Sequence, residues 1–197
     1  MIEIIEDCSP FYIRFRHPNI NDIIELYSEF LPDIDNLKSS FSHLKLPIDQ
    51  ARQIIDLCPL SQYVSFNQNR ISGFVSKPGL YYRAHKDGRD HRFSINYTVK
   101  ILDNNCITSW YSDQDLQDYV IDDLGGYSRE CINFDKSKHK PIKQMVAKQS
   151  EGILFNTDIF HDWDNSTSSN ERVVLTLRAN NPGDVYFKDI KQVLYKI

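Results

Sequence analysis

Tyr82-Arg83-Ala84-His85-Lys86-Asp87 places a histidine and a carboxylate two residues apart, just after the turn signal Lys77-Pro78-Gly79. In an extended strand, residues i and i+2 point to the same face. His85 and Asp87 would then aim an imidazole nitrogen and a carboxylate oxygen at one point. A second histidine completes a 2-His-1-carboxylate set, which leaves one side of an iron(II) ion open. The candidate is His161, within Phe155-Asn156-Thr157-Asp158-Ile159-Phe160-His161-Asp162-Trp163-Asp164-Asn165. Eleven residues later Arg172 opens the apolar run Arg172-Val173-Val174-Leu175-Thr176-Leu177-Arg178, where a cation could hold a dicarboxylate beside the metal.

An isolated H-x-D recurs by chance and needs structural context. Here the context is order along the chain: H-x-D, a long gap, a second histidine after an apolar segment, then an arginine at the head of a β-rich run. From Gln62 onward the pattern is one of short strands. They are expected at 63–66, 71–75, 80–87, 93–99, 106–111, 131–134, 142–146, 152–155 and 172–179. Many short strands at regular spacing indicate a sandwich or barrel. The absence of G-x-G-x-x-G and of regular strand–helix alternation disfavours a nucleotide-binding parallel sheet.

Upstream, 11–16 reads as a strand. Polar residues 19–22 precede Ile23, Ile24, Tyr27, Phe30 and Leu31 at helical spacing, and Pro32 stops that helix. A polar loop with Asp33, Asp35 and Asn36 follows. A second helix starts near Pro47, with the stripe Ile48, Ala51, Ile54, Ile55 and Cys58. Both helices are expected on the outside of a sheet, with His17 and His43 as surface residues. The whole reads as one domain: a strand and helices over 1–62, a β core over 63–180 and a C-terminal extension over 181–197. The acidic stretch 112–129 and the basic stretch 136–148 read as solvated connections, or as a lid over the site.

With 197 residues, 41% hydrophobic and 25% charged, the chain suits a single globular core. No apolar run approaches the roughly 18 residues of a membrane helix. The acidic start, Met1 to Asp7, lacks the basic region of a signal peptide, so a cytoplasmic protein is expected. A net charge of -4 argues against bulk binding to nucleic acid or anionic membrane. Cys8, Cys58, Cys106 and Cys131 form no C-x-x-C pair, and reduced thiols rather than a zinc site are expected.

These segments resemble the Fe(II)/2-oxoglutarate-dependent dioxygenase superfamily, most of all its aspartyl/asparaginyl β-hydroxylase-like and prolyl-hydroxylase-like branches. The similarity spans roughly residues 63–179 and lies in motifs. Tyr82 to Asp87 is similar to the Y-x-x-H-x-D that begins the metal site, and Phe155 to Leu177 resembles the distal His-to-Arg segment. The resemblance implies a mainly β, double-stranded β-helix (jelly-roll, cupin-like) core with supporting N-terminal helices. It implies Fe(II) on His85, Asp87 and His161, with 2-oxoglutarate and O2 as co-substrates and succinate and CO2 as co-products. Hydroxylation of an amino-acid side chain, in a peptide or in a free amino acid, is the implied reaction. Either Arg172 or Arg178 could anchor the co-substrate, with Arg172 preferred on its spacing from His161. Asn96 and the Tyr82 hydroxyl are further candidates for co-substrate contacts. Trp110, Tyr111 and Trp163 read as pocket lining or core. Oxidative dealkylation of nucleic acid, suggested by the R-x5-R of Arg172 and Arg178, and a non-catalytic ligand-binding jelly roll are the alternatives.

Overall fold

The computed structural model describes residues 1–31, 41–87, 92–101, 105–116, 119–123, 129–180 and 185–197. In chain order the strands are β1 (Glu3–Cys8), β2 (Tyr12–Arg16), β3 (Phe41–Lys45), β4 (Ser72–Ser76), β5 (Tyr81–Lys86), β6 (Ser94–Lys100) and β7 (Ile107–Trp110). They continue with β8 (Ile121–Asp123), β9 (Arg129–Cys131), β10 (Lys143–Val146), β11 (Gly152–Phe155), β12 (His161–Asp164) and β13 (Arg172–Leu177). Helices α1 (Ile20–Ser28), α2 (Ile48–Leu57) and α3 (Phe187–Leu194) complete the set. The strands form two antiparallel sheets, ordered β1-β2-β11-β6-β13-β4-β3 and β10-β7-β12-β5-β9-β8. This is the jelly-roll arrangement expected from the sequence.

The large sheet has two faces of opposite character, set by the period-2 alternation of its strands. Ile13, Phe15, Ile95, Tyr97, Leu154, Val173, Leu175 and Leu177 point to one side. There they meet Ile20, Ile23, Ile24 and Tyr27 of α1, Ala51 and Ile54 of α2, and Phe187, Ile190 and Leu194 of α3. Tyr27 comes so close that a Cβ on Gly73 would lie 1.4 Å from its hydroxyl oxygen, so only glycine fits there. The other side faces the small sheet. Toward β2 and β11 it is sealed by Tyr12, Trp110, Met145, Ile153 and Phe155. Toward β6, β13 and β4 it turns polar, with Ser94, Asn96, Arg172, Thr176 and Arg178 lining a cavity.

The helices lie outside the sheet as anticipated, but several local expectations change. Residues 63–66 make one isolated bridge, Phe66 to Ala179, and no strand, because a turn follows the 3-10 segment Pro59–Gln62. The strand expected at 131–134 ends at Cys131. Ile48 is exposed at the start of α2. His17 is 5% exposed rather than on the surface, packed against Phe15 and Tyr97. The acidic stretch read as a connection contributes β8 and the start of β9, the strand expected at 142–146 is β10, and residues 117–118 and 124–128 lie outside the described set, as does the expected loop at Asp33, Asp35 and Asn36. None of the four cysteines is in a disulfide. No helix among the described residues is long and apolar enough to cross a membrane.

Candidate active site

β5 and β12 pair antiparallel with His85 directly opposite His161, and their rings lie 4.4 Å apart, centroid to centroid. Cross-strand partners are the closest neighbours a sheet provides. The pairing therefore explains how histidines distant in sequence meet. Asp87 follows β5, and its backbone N–H donates to the Thr157 carbonyl at 3.3 Å, which turns the chain back toward His161. One ligating atom from each of His85, Asp87 and His161 falls within 4.8 Å of the others.

The hydrogen bonds of the two imidazoles fix which nitrogen is available. His85 Nδ1 lies 3.0 Å from the Arg83 carbonyl, and His161 Nδ1 lies 2.9 Å from the Ile159 carbonyl. A carbonyl only accepts, so both Nδ1 atoms carry a proton, and Nε2 is the ring nitrogen that each histidine turns to another partner. His85 Nε2 lies 3.5 Å from Asp87 Oδ1. The other carboxylate oxygen, Oδ2, accepts from Arg178 Nη2 at 3.3 Å. Burial alone would raise the Asp87 pKa. Arg178 and the His85 and His161 rings outweigh it and hold the carboxyl well below its ordinary range. Burial, reinforced by the neighbouring His85, pushes His161 down to about 3, so its ring is neutral at pH 7.

The same cavity, about 300 Å³, extends to Arg172. This side chain is 5% exposed, its Nη1 reaches Thr108 Oγ1 at 3.5 Å, and its guanidinium sits 5.2 Å from the Trp163 ring. Its Nε finds no acceptor, and it makes no ion pair among the described residues. Asn96 Oδ1 and Arg178 Nε are also buried without partners. A buried cation without a counter-ion is costly, and the cost is recovered when an anion binds. The two arginines left open by the sequence thus differ: Arg178 is committed to Asp87, and Arg172 has its charge to offer. The Tyr82 ring lines the cavity, but its hydroxyl donates to Glu130 Oε1 at 2.9 Å and not toward a co-substrate. Trp163 lines the cavity, whereas Trp110 is fully buried in the core and the Tyr111 hydroxyl donates to Asp162 at 2.7 Å.

Asp162 and His43 are among the lining residues that escaped the sequence. Asp162, beside His161, is 1% exposed and accepts from Tyr81 Oη at 3.1 Å, Tyr111 Oη and the Ser109 N–H at 3.1 Å. It clamps β12 to β5 and β7, which holds the histidine pair in register. His43 lies on edge strand β3 opposite Phe74, and its ring stacks on Phe74 at 5.0 Å with 19° between planes. A short aromatic-bearing strand gives His43 a signal only once β3 is seen to extend the cavity wall.

Neither a protein-family model nor a curated protein sequence matches this chain. Solved structures do match. HygX from Streptomyces hygroscopicus, solved with nickel and 2-oxoglutarate, superposes with a TM-score of 0.56 at 9% identity, over 86% of this chain and 83% of that one. The chain has the fold of the 2-oxoglutarate–Fe(II) oxygenases. EvdO2 from Micromonospora carbonacea var. aurantiaca, in complex with 2-oxoglutarate, matches at a TM-score of 0.54 and 8% identity, over 91% and 94%. An oxidoreductase of the 2OG-Fe(II) oxygenase family from Burkholderia pseudomallei matches at 0.52 and 10%, over 90% and 89%. At these identities the likeness is one of fold. The donor set of this chain supplies the chemical fit: two imidazoles that present Nε2 and a carboxylate suit Fe(II), and three protein ligands leave positions open for other groups.

Proposed function

We propose that the protein is an Fe(II)- and 2-oxoglutarate-dependent oxygenase. His85 Nε2, His161 Nε2 and an oxygen of Asp87 hold the iron, and Arg172 binds the far carboxylate of 2-oxoglutarate. The observation that carries this reading is the presence, in one cavity, of three convergent donors and a buried arginine that makes no ion pair among the described residues. When bound, iron with 2-oxoglutarate and O2 supplies the oxidising power to hydroxylate an unactivated C–H bond, with succinate and CO2 as co-products.

The chain's own contribution is positional. The Nδ1 hydrogen bonds to Arg83 and Ile159 orient both imidazoles. Arg178 ties up one oxygen of Asp87, which favours one-oxygen ligation and keeps a further metal position open. Arg172 suits a carboxylate because a planar guanidinium can give it two parallel hydrogen bonds. The Asn96 amide, which lines the cavity and has an unpartnered Oδ1, can donate from Nδ2 to a co-substrate carboxylate and accept at Oδ1 from a protonated group or water. The hydrophobic seal of Tyr12, Trp110, Met145 and Phe155 excludes water from the closed side. The substrate we assign is an amino-acid side chain, free or within a peptide, on the resemblance of residues 82–87 and 155–177 to hydroxylase segments.

The test is succinate formation from 2-oxoglutarate under air with added Fe(II), in the absence of other substrate. The wild-type protein should turn over slowly, and an Asp87→Ala variant should not. Turnover by the variant at the wild-type rate would remove Asp87 from the site.

A further inference from the structure

The aromatic residues of the cavity are not scattered. His43 stacks on Phe74, Phe74 meets Trp163 edge-on at 6.5 Å, Trp163 meets Tyr82 at 6.2 Å, and Tyr82 meets His85 at 4.9 Å. This chain of rings runs from the metal-binding pair to the edge of the large sheet, where His43 is exposed. The remaining lining is divided. Arg172 is free to take an anion, and Arg178 is committed to Asp87. Neither arginine is then left to recognise a charged substrate. What the mouth offers is π surface, beginning with a near-parallel pair whose outer member is exposed. Stacking on such a platform is tolerant of sequence, because it needs only a flat ring, and the Arg178 guanidinium 5.8 Å from the Phe74 ring disfavours a cationic one.

From this arrangement we infer that the substrate carries an uncharged planar ring, which stacks on the His43–Phe74 pair at the cavity mouth while another part of the substrate reaches the metal-binding donors. The inference rests on the oxygenase reading for the reaction, and on the ring geometry alone for the binding. The ring we assign is an aromatic amino-acid side chain, in keeping with the proposed substrate, and a nucleobase is the competing source that the test separates. The shared chemistry is the π face. His43 is here a specificity-determining residue, contributed by a strand outside the metal-binding segments.

Trp163 makes the test direct. The chain has two tryptophans, and Trp110 is fully buried in the core while Trp163 lines the cavity. Tryptophan emission would be followed as N-acetyl-phenylalaninamide, adenosine, or the saturated control N-acetyl-cyclohexylalaninamide is added. Each titration is run on protein alone and on protein loaded with Zn(II) and 2-oxoglutarate. At least one flat probe should bind roughly tenfold or more tightly than the saturated control, and which one binds names the source of the ring. His43→Ala should weaken that probe by on the order of tenfold, and His43→Phe should restore it. Equal binding of flat and saturated probes, or no change in His43→Ala, overturns the inference. If ring binding depends on His43 but Fe(II) and 2-oxoglutarate do not bind, the oxygenase reading fails while the ring site stands. If succinate is formed and no flat probe is preferred, the ring site fails while the oxygenase reading stands.

Discussion

The outer and inner faces of the large sheet come from the same strands, yet they answer to different demands. On β13, Val173, Leu175 and Leu177 go out to the helices, and Arg172, Val174 and Thr176 go in to the cavity. The outward set is satisfied by burial against α1, α2 and α3. The inward set leaves Arg172 Nε, Arg178 Nε and Asn96 Oδ1 buried and unpaired. Unpaired buried groups lower stability, so the inner face gives up stability for binding capacity. Substitutions should therefore separate cleanly: outward ones should act on folding, inward ones on ligands.

The largest effect belongs to the inner face. His161→Ala should reduce 2-oxoglutarate turnover to below about one-hundredth of wild type, since a metal ligand is lost, a larger change than the 10- to 100-fold cost of losing a ligand's supporting partner. Its thermal midpoint should move little by comparison, which differential scanning fluorimetry reads. On the outer face, Leu175→Ala should cost about 3 kcal/mol in urea unfolding, the usual range for a leucine in a packed core. Metal binding by the folded fraction should be unchanged. A ligand-specific defect in Leu175→Ala would blur the division between the faces.

A pH series sharpens the same comparison. Burial, with the N-terminal amino group adding to it, pushes His17 down to about 4, against an ordinary value of 6.5. His17 Nε2 lies 3.1 Å from the Tyr97 hydroxyl, which itself donates to Cys58 Sγ, while His17 Nδ1 has no partner. The folded-state pKa is depressed, so above pH 6.5 both states are neutral and His17 has no pH-dependent effect. As pH falls from 6.5 toward 4 the unfolded chain takes up a proton that the folded one refuses, and stability is lost. The loss at pH 4 should be about 3 kcal/mol, and His17→Phe should remove that part of the pH dependence. Urea midpoints at pH 7 and pH 4.5 check it.

The smallest effects distinguish the two arginines. Arg172→Gln should weaken 2-oxoglutarate binding on the order of a hundredfold, through loss of a charge-assisted pair. Arg178→Gln should instead weaken Fe(II) binding, on the order of tenfold, because it frees the second oxygen of Asp87. Isothermal titration with each ligand separates them, and the reverse pattern would exchange their roles.

How much of this was legible in the sequence follows from how local each cause is. H-x-D needs only an extended backbone, so His85 and Asp87 could be placed together from their spacing. His161 could be placed from its order along the chain, but its strand could not. His161-Asp162-Trp163-Asp164 reads as a polar loop, and β12 exists because β5 and β7 pair with it on both sides. Tyr63 to Phe66 has strand-like residues but sits behind a 3-10 turn, with a single bridge partner. The burial of His17 depends on Tyr97, eighty residues away, and the reach of His43 into the cavity depends on β3 pairing with β4. Arg172 and Arg178 share a strand face in the sequence, and only the spacing from His161 favoured Arg172. Only the position of Asp87 beside Arg178 separates them.

The most direct measurement is an anaerobic crystal structure of the protein with Fe(II) and 2-oxoglutarate, with iron located by its anomalous signal. A single iron bonded to His85 Nε2, His161 Nε2 and an oxygen of Asp87, with the far carboxylate of 2-oxoglutarate on Arg172, is the predicted result. Iron bound elsewhere, or either imidazole rotated so that its Nε2 faces away from Asp87, would contradict it.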